Sequence, residues 1–179
     1  MARGRILLKR LSFIILSVAF GFFICILFYF KFGGYFLIGK EERVNFVNKV
    51  KSSPQLPDRF YEAYNVVYPN SLQGGQLDYF IGRDIKKRNN VECPCRLAAY
   101  DSGFTEYVYK NLPLTVFYLE NYVSQKECLN YYANQIRFRE GIIGVKQASR
   151  IFFERDIEEL DVDECVRLVQ MFRGSYSYQ

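Results

Sequence analysis

Apolar residues run without a charge from Leu11 to Phe30, and beyond that point they fall into short, spaced groups. Twenty helical residues cover about 30 Å, the thickness of a bilayer's hydrocarbon core. The run predicts a transmembrane helix over 11–30. A signal peptide would have an apolar core of roughly 7–15 residues followed by small residues, whereas this run ends in Phe28-Tyr29-Phe30-Lys31. A buried core helix would show a polar stripe, and none breaks the run. Gly33-Gly34 punctuates the exit, and Tyr29, Phe32, Tyr35 and Phe36 form an aromatic belt at the outer interface.

After the span the period changes. Val44, Phe46, Val47 and Val50 are close to helical spacing and predict a helix within Glu41–Lys51. Two prolines and two serines make 51–57 a loop. Asp58–Val67 reads as a short helix with Phe60, Tyr61 and Tyr64 on one side. Residues 68–105 are the least regular, with turn signals at Pro69-Asn70-Ser71 and Gly74-Gly75, a polar loop at Lys86–Asn90, and a helix starting within Leu97–Tyr100. Pro113 suits the first turn of a helix that continues through Val123. Ser124 and Glu127 have capping-box spacing, opening a helix through Ile136 whose apolar face is Cys128, Leu129, Tyr132 and Ile136. Gly144 starts a helix to Phe153, and Asp161 with Glu164 caps a last one to about Arg173. Strand signals are sparse. The fold class is mainly α: a single N-terminal transmembrane helix followed by a helical domain. The organisation is 1–10 basic N-terminus, 11–30 span, 31–53 juxtamembrane segment and 54–179 domain.

Charge sharpens the orientation. Arg3, Arg5, Lys9 and Arg10 supply four of the 24 basic residues, leaving 20 against 19 acidic residues beyond position 10. The excess of +5 is therefore mostly a signal for a cytoplasmic N-terminus. A nucleic-acid partner would need a basic face on the folded part, so none is expected. The absence of histidine removes the usual general base, the serine and cysteine triads and most zinc sites. Of the five cysteines, Cys25 lies in the span. Cys93 and Cys95 are too close for an easy mutual disulfide, and Cys128 and Cys165 read as small buried hydrophobes. Outside the cytoplasm, pairing among the last four stays open.

One stretch carries more than architecture. Residues 134–153 read NQIRFREGIIGVKQASRIFF, preceded by LENYVSQKECLNYYA. With Leu160 and Glu164, the residues Asn134, Gln135, Ile136, Phe138, Gly141, Gly144, Val145, Ala148, Arg150 and Phe153 form one ungapped register. This register resembles glycosyltransferase family 51, the peptidoglycan transglycosylase module of penicillin-binding proteins and their monofunctional relatives. The resemblance covers about residues 54–172, specific in the last third and weak before Leu119. Arg137 and Arg139 stand where tyrosine and glycine are usual. The resemblance implies a lysozyme-like helical domain with a smaller membrane-facing lobe, and lipid II as substrate. It casts Asn134, Gly141, Gly144, Arg150 and Glu164 as structural: the glycines permit tight backbone geometry, Asn134 and Arg150 buttress, and Glu164 caps.

In that family one glutamate is the general base on the acceptor hydroxyl, and a second supports the site beside the leaving pyrophosphate. Leu56-Pro57-Asp58-Arg59-Phe60 resembles the first motif, and its register puts Leu56 at the base and Pro57 at the following aspartate. Counting back from Leu119-Glu120, Leu112 falls on the second glutamate, with Val108 and Tyr109 replacing an arginine–lysine pair. Leucine cannot accept a proton, so both acids are expected to be lost. Gln73-Gly74-Gly75 has the letters of a pyrophosphate-binding segment, but Gln76-Leu77-Asp78 follows where serine and threonine belong. Displaced acids would come from Asp58, Glu62, Asp78, Asp84, Glu92, Asp101 or Glu106. Asp58 and Glu62 lead this group because they share a helix face. Arg59, Arg83, Lys86, Lys87 and Arg88 are the candidates to meet a pyrophosphate or anionic headgroups.

Three functions follow in order of preference. The first is a bacterial-envelope domain, catalytically degenerate, that binds lipid II, glycan strands or cell-wall synthesis proteins. The second is an active transglycosylase with displaced acids. The third is an unrelated helical, membrane-anchored interaction protein. No cofactor is expected, and a divalent metal only if the domain is active. The expected location is the cytoplasmic membrane, single-pass, with the domain outside.

Overall fold

A computed structural model describes residues 2–85, 92–101, 106–139 and 141–172. Helix α1 is Ala2–Leu37, α2 Lys40–Lys51, α3 Asp58–Val67, α4 Gln76–Ile85, α5 Pro94–Asp101, α6 Glu106–Glu120 and α7 Gln125–Gln135. A hairpin of β1 (Arg137–Arg139) and β2 (Ile142–Ile143) leads into α8 (Gly144–Phe153), and α9 is Val162–Gln170. The chain is mainly helical, as its apolar spacing predicts.

The apolar run does not end its helix at Phe30. α1 continues to Leu37, and its segment Arg10–Phe36 is long and apolar enough to cross a membrane. Gly33-Gly34 therefore does not break the helix. A Cβ on Gly34 would lie 2.7 Å from Tyr118 Cβ and 2.9 Å from the Leu114 carbonyl oxygen, so the missing side chain lets α1 lie directly on α6. Phe30 meets Phe117 edge-on at 5.9 Å, and Tyr35 meets Tyr118 at 4.9 Å. Arg43, from the first turns of α2, places its guanidinium 5.0 and 5.4 Å from the Tyr35 and Tyr118 rings.

α6 corrects a second expectation. It begins at Glu106, and Pro113 lies inside it rather than in its first turn. The proline forfeits one backbone bond, yet the helix keeps its course where α1 packs along Leu114 and Tyr118. α4 lies between the Gly74-Gly75 turn signal and the Lys86–Asn90 loop, where the sequence pattern predicts no element. The two capped helices form as predicted: Ser124 with Glu127, and Asp161 with Glu164, make reciprocal capping boxes.

The core joins these pieces. α3 packs on α9, α5 on α6 and α7, and α2 on α7. Phe60, Tyr64, Leu119, Leu129, Leu168 and Phe172 are among its fully buried side chains. α2 contributes Phe46, Val47 and Val50, so the segment after α1 is packed into the same core as the rest.

Candidate functional site

The loop that carries the Leu56 motif is held by one face of α7. Lys126, Asn130 and Asn134 are four residues apart and so line up along the helix. Asn134 donates from Nδ2 to the Pro54 carbonyl at 3.1 Å. Asn130 Oδ1 accepts from the Tyr61 hydroxyl at 2.6 Å, and that hydroxyl accepts from the Leu56 N–H at 3.1 Å. Lys126 covers the Tyr61 ring at 3.9 Å from its centroid. This ladder turns Leu56 inward, where it is 5% exposed and part of the core.

Leu112 is likewise buried in the core. Asp58 is fully exposed and pairs with Lys126 at 3.7 Å, a geometry of little energetic weight. Glu62 is also exposed. Both carboxylates thus face solvent, whereas Leu56 and Leu112 are buried. Arg59 donates to the Leu160 carbonyl at 3.4 Å, linking α3 to the start of α9. The side chains of Arg83, Asp84 and Glu106, and residues Lys86, Lys87 and Arg88, lie outside the described residues.

The structure gathers a different set of polar groups. Glu120, the last residue of α6, is half-buried, and its Oε1 accepts from the Gln76 N–H at 2.7 Å and Gln125 Nε2 at 2.8 Å. The Cys93 thiol faces the same oxygen at 3.7 Å. Burial raises the Glu120 carboxyl above its ordinary value, and the nearby Asp78 charge adds to this; the hydrogen bonds from Gln76, Gln125 and Cys93 oppose it. Cys93 is pushed up to about 12, by burial first and by Glu120 second, so it holds its proton at neutral pH. Gln125 Oε1 accepts from the Cys95 N–H at 3.0 Å, tying the cluster to α5. Tyr64 and Gln76 are both fully buried, and the Tyr64 hydroxyl and the Gln76 side-chain amide have no hydrogen-bond partner among the described residues.

Cys95 and Cys128 form a disulfide with Cα atoms 4.8 Å apart. This replaces the expectation that Cys128 is a small buried hydrophobe, because the packing of α5 on α7 brings the two sulfurs together. Cys93 and Cys165 are free and buried. Among the described residues no group of three or more His, Cys, Asp or Glu side chains is placed to hold a metal ion.

The residues expected to be structural take these positions. Gly144, at φ +78°, sits where a Cβ would be 2.6 Å from the Asn134 carbonyl oxygen, while Gly141, at φ +83°, faces open space. Arg150 pairs with Asp156, just beyond the C-terminus of α8. Glu164 caps α9 and accepts from Arg155. Asn134 braces the Leu56 loop, a more local task than general support of the fold.

These placements concentrate in the second half of the chain. There, residues 110–179 match the family model for Transglycosylase, so this part of the chain is similar to a transglycosylase domain. Its particular likeness is to glycosyltransferase family 51, through the register running from Asn134 to Glu164. No curated protein matches the chain.

Proposed function

We propose that this protein is a membrane-anchored, transglycosylase-like component of the bacterial cell envelope that binds lipid-linked glycan or glycan strands without polymerising them. The observation that carries the reading is the pair Leu56 and Leu112. They stand where the family's two glutamates are expected, and both are packed into the core. A general base needs a lone pair within reach of the acceptor hydroxyl; leucine has none, and the solvent exposure of Asp58 and Glu62 supports the reading that they do not replace it.

Anchoring by α1 is part of the proposal. The four positive charges before the apolar run favour a cytoplasmic N-terminus. The Cys95–Cys128 disulfide supports the same orientation, since such bonds persist in oxidising compartments outside the cytoplasm.

The test uses purified full-length protein in detergent with lipid II. Binding of lipid II without glycan product is the expected result. Product that disappears in Asp58→Asn or Glu62→Gln would establish an active enzyme with displaced acids. Neither binding nor product would leave an envelope-protein partner as the function.

A further inference from the structure

The Glu120 cluster has a mechanical property separate from glycan binding. Oε1 of one carboxylate gathers donors from the start of α4, from the segment before α5 and from the start of α7. α4 leaves one apolar face outside the core. Leu77, Phe80 and Ile81, one apolar face at helical spacing, are 59%, 37% and 47% exposed. Its inward contacts are with α6 and through Tyr79, whose ring lies 5.0 Å beneath the Arg96 guanidinium. Just before α4 come Gly74 and Gly75, and a Cβ on Gly75 would approach Glu120 Oε1 to 3.1 Å. The Gln76 side chain, buried without a partner among the described residues, is a standing cost of the closed arrangement that opening would relieve.

We propose that α4 is a hinged flap, with Gly74-Gly75 as its hinge and Glu120 as its catch, and that its release uncovers Cys93. The catch is one oxygen atom, so the flap opens locally while the α3–α9 half of the core stays packed. The two buried thiols distinguish the events. Cys93 lies beside the catch, whereas Cys165 is buried in α9, which packs on α3.

The experiment is alkylation of the full-length, non-reduced protein by iodoacetamide in detergent, with modification of each cysteine followed by mass spectrometry. In the wild type, Cys93 is modified at a rate insensitive to low urea, the mark of local opening, while Cys165 reacts only as urea approaches the unfolding transition. In Glu120→Ala, Cys93 modification rises about tenfold or more while Cys165 stays protected. Glu120→Gln keeps an oxygen acceptor and stays near the wild-type rate. The proposal is overturned if Cys93 and Cys165 share one urea dependence in the wild type. It is also overturned if folded Glu120→Ala, with Cys165 protected, modifies Cys93 no faster than the wild type.

Discussion

At the scale of single residues, burial decides which carboxylates matter. Glu120 carries a carboxyl whose affinity for protons is higher in the fold than in the unfolded chain, where its value is near the ordinary 4.5. The linkage sign follows: its stabilising contribution is complete below that value and is lost as pH rises through the higher, folded one. Glu120→Gln cannot charge, so its melting temperature relative to the wild type should climb between pH 4.5 and neutrality, as measured by thermal denaturation at a series of pH values. Leu56 presents the reverse case. Leu56→Glu, the glutamate expected there under the proposed register, places a carboxyl in an apolar site and should cost about 3 kcal/mol or more, read from the urea midpoint. Restored polymerisation with unchanged stability would contradict this. The two leucines are singled out by different anchors, Leu56 by the motif ending in Phe60 and Leu112 by counting back from Leu119-Glu120, and what the structure adds is that both are buried. Glu120 was legible only as a landmark, since its partner Gln76 is 44 residues away and no local pattern joins them.

At the scale of elements, caps and close backbone approaches account for what could be read. The boundaries of α3, α7 and α8 follow from Pro57, from the Ser124–Glu127 box and from Gly144. α4 escaped because it inverts the usual pattern, burying Gln76 and exposing Leu77, Phe80 and Ile81. The disulfide escaped because spacing alone does not determine which cysteines pair. The two left-handed glycines around the hairpin make a controlled comparison. Gly141→Ala meets open space and should cost only backbone strain, about 1–2 kcal/mol. Gly144→Ala adds a collision with the Asn134 carbonyl and should exceed it by about 2 kcal/mol or more. Equal losses in the two variants would remove the Asn134 contact as the reason for glycine at 144.

At the scale of the whole molecule, the Cys95–Cys128 bond closes a loop of 33 residues that includes α5 and α6. Loop-closure entropy predicts that Cys95→Ala/Cys128→Ala, or reduction, lowers stability by about 3–4 kcal/mol. Calorimetry with and without reductant measures it, and an unchanged transition would mean the loop is held by other contacts alone. The union of α1 with α6 has another consequence. Only Ile38 and Gly39 separate α1 from α2, and Gly34 seats α1 against Tyr118 before the chain leaves the helix. With α1 in a bilayer, the domain therefore has no tether on which to wander. It keeps a fixed height and tilt, moves as the lipids move, and meets a lipid-borne partner by lateral diffusion in a plane. Partners free in the surrounding solution gain no such advantage. Lengthening the Ile38-Gly39 connection would trade that two-dimensional encounter for a wider volume and a lower local concentration of anything embedded beside it.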